Sequence, residues 1–277
     1  MKKLAFVIAA CAALAVSCRS NSSTQNTFKG KIDDGIIEDT RAELTQEVQE
    51  MLDGIAGSYN DTDNNGLSLV DVITANLTDK QKLVKPDYLL EPKRVQELVS
   101  YGQKVNALAI LASERPVRLA YGMSVTEVDA EIAKLLTDVN HPVDIETLRS
   151  ASLPEMVKKT YEACKESDNL CYYWLFCLNF ENSLMYLLSH NVDTFFDGID
   201  DTQYIAFNNR RYNCIKAARK LSEYDSYIAS ALELYDMNRG DETDEAEFVA
   251  LKNKEAGRRR LIEKAPAIQA AREQSLL

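Results

Sequence analysis

The strongest hydrophobic pattern in the chain lies between Leu170 and His190, a stretch of large side chains that includes the only tryptophan. On a helix of about 100° per residue, apolar residues collect on one broad side of this stretch and polar residues on the other. The apolar side holds Trp174, Cys177, Leu178, Leu184, Met185 and Leu188, and the polar side holds Asn179, Asn182, Ser183 and Tyr186. Glu181 interrupts the apolar side near its middle. An ionisable group at the centre of a bilayer costs several kcal/mol, so the pattern predicts a core helix and not a membrane span.

Helical spacing also dominates the rest of the chain, and no run shows the alternating pattern of a strand. The longer predicted helices cover Asp33–Gly57, Ser68–Leu77, Pro92–Ser113, Ser124–Val139, Pro154–Glu166, Asp200–Ser222, Glu223–Asn238 and Asp241–Gln274. The predicted fold is therefore all-α, an irregular bundle of about eight to ten helices, with stacked helical hairpins as the alternative arrangement.

Three local signals refine the predicted helix boundaries. Ser124 and Glu127 have the spacing of a capping box, which predicts the start of a helix at this point. Pro116 predicts a break or a kink, because proline lacks the backbone N–H that an α-helix uses. The segment Phe195–Gly198 predicts an apolar loop that tucks against the body of the protein.

Composition supports the all-α prediction and limits the expected partners. The 277 residues include only 10 Gly and 6 Pro, which disfavours a turn-rich all-β fold. The formal net charge is −11, and it becomes two units more negative if Lys2 and Lys3 are removed with an export signal. A surface this acidic repels nucleic acid and anionic lipid headgroups, so we expect neither as a partner.

The amino terminus has the pattern of an export signal. Two lysines precede an apolar run, and the small residue Ser17 stands directly before Cys18. The ending Leu14–Cys18 resembles the lipobox of bacterial lipoproteins, with Ala15 at a position where that motif usually has leucine. The resemblance implies that the Cys18 thiol is diacylated, that the signal is cut off before it, and that the new amino terminus receives a fatty acid such as palmitate. An ordinary signal peptide cleaved near Ser17 is the alternative.

A polar segment follows this signal. Residues 19–31 are rich in Ser and Asn and contain almost no apolar side chains, as is typical of a flexible tether. The predicted organisation is a lipoprotein signal peptide (1–17), a tether (18–31) and a single helical domain (32–277). The resemblance to lipoproteins implies a lipid anchor in the outer membrane. We favour the periplasmic side over the cell surface, because no acidic export tag follows Cys18.

The polar segment Asn60–Gly66 is the best candidate for metal binding. It resembles the opening of an EF-hand calcium loop, in which oxygen ligands at alternate positions surround a hard cation. The second half departs from that family, because Ser68 replaces an aliphatic residue and Val72 replaces the last carboxylate. A shortened calcium loop would take its side-chain ligands from Asp61, Asp63, Asn65 and Asp71. A polar turn between two helices is the alternative.

Glu181 is predicted to form a buried ion pair. A carboxylate on a buried face must be paired or protonated, because an uncompensated buried charge is costly. Arg211 falls on the inner side of the helix predicted from Asp200, so a contact between Glu181 and Arg211 is our specific expectation. The alternative makes Glu181 a general acid or base with a shifted pKa.

Cysteine chemistry is left open by the sequence. Besides Cys18, the mature chain holds Cys164, Cys171, Cys177 and Cys214. An exported compartment permits disulfides, and a bridge between Cys164 and Cys171 would join two helix ends across a predicted turn. Buried free thiols are the other interpretation. No cysteine pair has the short spacing of a zinc site.

No motif for nucleophilic catalysis, phosphate binding or dinucleotide binding is found. Our first hypothesis is a non-enzymatic lipoprotein of the cell envelope that binds a partner protein or a cell-wall polymer. The alternatives are an envelope hydrolase that acts on glycan or peptide with Glu181 as its acid, and a calcium-binding protein. A cleft that contains Glu181 and a second carboxylate would favour the hydrolase, and a packed, dry Glu181 would favour the binding protein.

The run Arg258–Arg260 predicts a solvated helix face, with contact to an acidic partner or peptidoglycan as the alternative.

Overall fold

The computed structural model describes residues 43–60, 69–75, 77–150, 153–239 and 252–276, and within these ranges every regular element is a helix. The α-helices are α1 Gln46–Asn60, α2 Leu69–Ala75, α3 Asp79–Lys82, α4 Tyr101–Ala120, α5 Thr126–Asp138, α6 Ile145–Ser150, α7 Leu153–Glu166, α8 Leu170–Ser189, α9 Val192–Gly198, α10 Asp201–Leu221, α11 Ser226–Arg239 and α12 Lys254–Gln274. A 3₁₀ helix, Pro92–Glu97, precedes α4. The prediction of an all-α, multi-helix fold is confirmed. Eight of these helices have 13 or more residues, and the short ones add connections that periodicity does not reveal.

Helix α8 lies at the centre of the structure and packs against α4, α7, α9, α10, α11 and α12. All its residues are buried except Asn182, Met185 and Ser189. A helix that is surrounded in this way is hydrophobic on most of its circumference, so the prediction of a core helix is confirmed. The polar side of the pattern is enclosed as well, because Ser183 and Tyr186 are buried and have hydrogen-bond partners inside the protein.

Two predictions at proline residues also need correction. The segment predicted as one helix from Pro92 to Ser113 is divided into the 3₁₀ helix and α4, and Ser100 caps the start of α4 through a capping box with Gln103. Pro116 does not break α4, which continues to Ala120. The buried face of α4 packs along α8, and this tertiary packing outweighs the local preference of one proline.

Two further local predictions were wrong. Ser124 and Glu127 do not form a capping box, because α5 begins one residue later than predicted, with Val125 at its N-cap and no side-chain cap. Phe195 and Phe196 lie in the short helix α9 and not in a loop. Both rings are buried, as expected, and they meet edge to face with 5.0 Å between ring centroids. The start of the predicted helix Asp33–Gly57 lies outside the described residues.

Candidate functional site

A cleft opens between α8, α9, α10 and α12. It contains about 500 Å³ of space between the protein atoms, part of which is open to solvent. Four aromatic rings form much of its wall: Phe195, Phe196, Tyr204 and Phe207. Aromatic and aliphatic walls of this kind favour an apolar ligand.

Three basic side chains also lie among the described residues of the cleft wall. Arg211 comes from α10, and Arg260 and Lys264 come from α12. Arg211 is only 7% exposed, and its guanidinium lies 5.2 Å from the ring centroid of Tyr235. Arg260 and Lys264 are half-buried. Among the described residues of the wall, basic side chains therefore outnumber acidic ones, on a chain with a net charge of −11.

Gly257 allows α12 to approach α10 closely at one end of the cleft. A Cβ atom at this position would lie 1.9 Å from Oη of Tyr204 and 2.6 Å from its Cζ. Tyr204 is itself buried, and its ring lies 5.6 Å from that of Phe196. Because Gly257 has no side chain, the ring of Tyr204 can occupy this place in the wall.

We expect Gly257→Ala to lower the free energy of unfolding by about 1–3 kcal/mol, because the added methyl group overpacks the contact with Tyr204. Gly54→Ala in α1 is the matched control, since nothing lies within 4 Å of a Cβ built there. That control should raise the free energy of unfolding by up to about 1 kcal/mol through helix propensity. Urea unfolding followed by circular dichroism measures both changes, and equal stabilisation by the two alanines would contradict the close approach.

Glu181 lies apart from the cleft lining, in a buried polar cluster between α1, α8 and α10. Its side chain is 2% exposed. Oη of Tyr59 donates a hydrogen bond of 2.8 Å to its Oε1, and Nη2 of Arg210 lies 3.1 Å from the same oxygen. The predicted partner was thus wrong by one residue. Arg210 pairs with Glu181, whereas Arg211 lies in the cleft wall over the ring of Tyr235.

A double-mutant cycle tests this assignment. We expect Glu181→Gln and Arg210→Gln to show a coupling free energy of about 0.5–3 kcal/mol in urea unfolding, as is usual for residues in direct contact. The same cycle with Arg211→Gln should give a smaller coupling, because Arg211 belongs to a different contact. A larger coupling with Arg211 than with Arg210 would overturn the observed pairing.

A second buried charge cluster, which the sequence analysis missed, joins α4 to α12. Glu114 is fully buried, and Nη2 of Arg272 lies 2.5 Å from its Oε1. The amide of Leu90 donates a 2.8 Å hydrogen bond to its Oε2, and Arg118 lies 3.5 Å away. Burial raises the pKa of Glu114 above its ordinary value. The sequence signal was the pair Glu114 and Arg118, four residues apart within a mostly apolar run.

The cysteines are structural in the described part of the chain. Cys164, Cys171, Cys177 and Cys214 are all buried thiols that form no disulfide, so the interpretation as buried thiols is confirmed and the Cys164–Cys171 bridge was wrong. Burial raises the pKa of the Cys164 thiol to about 12, which keeps it protonated at neutral pH and poorly reactive. Trp174 is completely buried in the same core, with its ring 5.6 Å from that of Tyr59.

The remaining predicted sites fall mostly outside the described residues. This holds for Cys18 and for Asp61, Asp63 and Asn65, whereas Asp71 lies exposed in the first turn of α2. Among the described residues, no group of three His, Cys, Asp or Glu side chains is arranged to hold a metal ion. Calcium binding by the loop therefore stays a prediction. No helix in the same ranges has the length and apolar character needed to cross a membrane.

Comparisons of this chain with known protein families, with curated proteins and with solved structures found no match. Its function is therefore inferred from its own residues.

Proposed function

We propose that this protein is a lipid-anchored, non-enzymatic binding protein of the cell envelope, and that its helical domain holds a small apolar ligand in the cleft between α8, α9, α10 and α12. The observation that carries the proposal is the wall of the cleft. Among its described residues, it combines four aromatic rings with aliphatic side chains. Burial of an apolar ligand against such a wall is favourable by roughly 25 cal/mol per Å² of apolar surface.

The position of Glu181 supports binding over catalysis. An acid or base must reach the bond that it protonates or the water that it activates, and a glycosidase needs two carboxylates on the wall of its cleft. Glu181 is 2% exposed, is held by Tyr59 and Arg210, and does not line the cleft. This buried and paired arrangement favours a binding protein over an envelope hydrolase.

Attachment to the membrane is proposed on the lipobox-like ending at Cys18 and the polar tether behind it. Several acyl chains at about 0.8 kcal/mol per buried methylene hold a protein firmly on a membrane. The expected partner protein or cell-wall polymer stays a prediction.

The anchor is tested by expression of the full chain in a bacterium that processes lipoproteins. We expect labelled palmitate to enter the wild-type protein and the Cys11→Ala control, and both to fractionate with the outer membrane. Cys18→Ala should lose the label and become soluble. Unlabelled wild-type protein with an ordinary amino terminus in mass spectrometry would show that the signal is a simple signal peptide.

Ligand binding is tested with the neutral apolar dye 1-N-phenylnaphthylamine, which becomes fluorescent in an apolar site. The wild-type protein should bind one equivalent saturably. Phe207→Asp places a carboxylate in the cleft wall and should weaken binding at least tenfold, which is about 1.4 kcal/mol. Ile205→Asp is the matched control, because Ile205 lies on the same helix but is 39% exposed and does not line the cleft. Absence of saturable binding, or an equal loss in both variants, would contradict the proposed site.

A further inference from the structure

We propose that the segment Lys80–Lys85 docks on the surface of a bilayer that contains anionic lipids, with the side chains of Leu83 and Val84 in the interfacial region. Such docking goes beyond the ligand cleft and rests on the proposed lipid anchor, because acyl chains at Cys18 would keep the segment close to a membrane. Two adjacent exposed apolar side chains, and the lysines on both sides of them, carry the proposal.

Leu83 and Val84 are the most exposed large apolar side chains in the described part of the chain. Leu83 is 79% exposed and Val84 is 74% exposed, and they lie in a run of eight exposed residues, 78–85. Transfer of such side chains from water to an apolar environment is favourable in proportion to the apolar area that leaves water. Almost all of the surface of these two side chains is therefore available to a bilayer.

Contacts at both ends fix this segment to the body of the protein. Thr78 starts α3 through a capping box with Gln81. Nζ of Lys85 donates a hydrogen bond to the carbonyl oxygen of Tyr121 at the end of α4, and Leu90 is buried in the core. The two apolar side chains thus project from a turn that is already ordered, so that docking orders little additional chain.

Charge complementarity selects an anionic bilayer. Lys80 and Lys82 precede the apolar pair and Lys85 follows it, and all three are exposed. The nearest acidic residues in sequence, Asp79 and Asp87, stand outside the segment. Each lysine close to an anionic membrane surface strengthens binding about fivefold. The aliphatic stem of a lysine can also lie along apolar surface while its ammonium group stays among the headgroups.

The acidity of the whole chain limits this contact to one face. The net charge of −11 is the reason for which the sequence as a whole predicts no contact with anionic headgroups. Exposed charges are largely screened from each other beyond about 8 Å at physiological ionic strength. A projecting basic segment can therefore reach the headgroups while acidic residues on other faces of the domain lie beyond that distance. Repulsion of those faces would then orient the domain on the membrane.

The anchor raises the local concentration of the segment at the bilayer. Residues 19–42 separate Cys18 from Glu43, the first described residue. A chain of this length reaches at most about 80 Å when it is fully extended, so an anchored domain cannot leave the neighbourhood of the membrane. A contact that would be weak for a free protein therefore becomes populated for the anchored one.

The test follows position 84 with an environment-sensitive label on the purified, lipidated full chain. Val84→Cys is labelled with a nitrobenzoxadiazole dye, because the native thiols in the described ranges are buried and the Cys18 thiol is acylated in this form. In vesicles of phosphatidylcholine with a third of phosphatidylglycerol, we expect the emission of the label to rise at least twofold. Nitroxide groups on the lipid acyl chains should quench it.

Val99→Cys is the matched control for the label. Val99 is 59% exposed and lies just before the first residue of α4, whereas Lys85 contacts the other end of that helix. A helix of 20 residues is about 30 Å long, so a label at Val99 should stay in water and escape the nitroxide groups.

Flotation of the soluble, full-length Cys18→Ala protein with vesicles measures docking without the anchor. At low ionic strength, Lys80→Gln and Lys82→Gln should each weaken binding to phosphatidylglycerol-containing vesicles about fivefold. Leu83→Gln combined with Val84→Thr should weaken it at least tenfold. Added salt should weaken the binding of the wild-type segment.

The control substitutions make the same chemical changes elsewhere. Val99→Thr and Lys159→Gln alter an exposed valine and an exposed lysine outside the segment, and neither should change flotation. All of these side chains are exposed, so an unchanged circular dichroism melt is expected for every variant and shows that it is folded.

Each outcome has a distinct meaning. A label at Val84 that stays in water, on protein that palmitate labelling shows to be anchored, would overturn the docking while the proposed anchor stands. If no palmitate enters the protein, the anchor fails, and flotation of the soluble protein then decides whether the segment docks. Equal flotation with pure phosphatidylcholine vesicles would overturn the role of the lysines. Flotation that no substitution in the segment weakens would place the contact elsewhere. A label that responds to solubilised envelope proteins but to neither kind of vesicle would overturn the lipid surface in favour of a protein partner.

Discussion

Arg272→Met should lower the free energy of unfolding by about 3–5 kcal/mol at pH 8, because it removes the closest partner of a buried carboxylate. Arg272 and Glu114 are 5% and 0% exposed, and their charged atoms are 2.5 Å apart. After the substitution, Glu114 keeps the amide of Leu90 and the more distant Arg118, and neither replaces the lost charge-assisted hydrogen bond. Methionine preserves much of the apolar stem that packs at this place, so the loss reports mainly on the charge.

The pH dependence identifies the cause of this loss. Burial raises the pKa of Glu114, so its carboxylate takes up a proton more readily in the folded state than in the unfolded state. A raised carboxyl pKa contributes stability below the ordinary carboxyl pKa of about 4.3, and that contribution is lost as pH rises through the raised value. Without Arg272 the pKa rises further. The difference in stability between wild-type and Arg272→Met protein should therefore shrink as pH falls from 8 to 5.

Two further variants complete this test. Glu114→Gln combined with Arg272→Met should recover part of the loss and remove its pH dependence, because the buried carboxylate that takes up the proton is gone. Arg94→Met is the matched control. Arg94 pairs with Glu273 at 3.1 Å, but the side chains are 44% and 61% exposed, so its loss should cost less than about 1 kcal/mol. An equal cost for Arg94→Met and Arg272→Met, independent of pH, would contradict the role of the buried pair.

Hydrophobic periodicity was enough to predict most of the long helices, because it depends on residues close together in sequence. Helix α8 is the clearest example. Its long run of large apolar residues predicts a helix, and the polar residues within that run indicate a helix in the protein core and not a membrane span. The inward position of Glu181 followed from the same spacing. Local signals misled where packing decides the outcome. Pro116 stays inside α4 because α8 covers that helix, and Ser124 lies one residue before the N-cap of α5.

The candidate site could not be predicted from periodicity, because it is formed by contacts between segments that are distant in sequence. A partner for Glu181 had to come from another helix, and a rotation of one residue along α10 exchanges Arg211 for Arg210. The cleft needs α9 to be helical so that Phe195 and Phe196 enter its wall, and the sequence pattern had indicated a loop there. The basic run on α12 was visible in the sequence, but the ion pair between Arg258 and Asp197 depends on where α9 lies.

Trp174→Ala should lower the free energy of unfolding by about 3–5 kcal/mol, because truncation of a fully buried indole leaves a cavity in the middle of the protein. Trp174 lies on α8, and its ring contacts that of Tyr59 on α1, edge to face. Loss of the ring therefore removes both buried apolar surface and an aromatic contact between two helices. Urea unfolding followed by circular dichroism is the measurement, since the substitution removes the only tryptophan fluorophore.

Trp174→Phe separates the cavity from the indole itself. Nε1 of Trp174 is buried and has no hydrogen-bond partner among the described residues, and such a donor costs about 1–3 kcal/mol when it is buried. Phenylalanine keeps an aromatic ring beside Tyr59 and removes this donor, so its cost should be clearly smaller than that of alanine. Leu119→Ala is the surface control, since Leu119 is 48% exposed and its truncation should stay within about 0.5 kcal/mol of wild type. Equal losses for Trp174→Phe and Trp174→Ala would mean that the indole nitrogen has a partner, which would place a further polar group in the core beside α1 and α8.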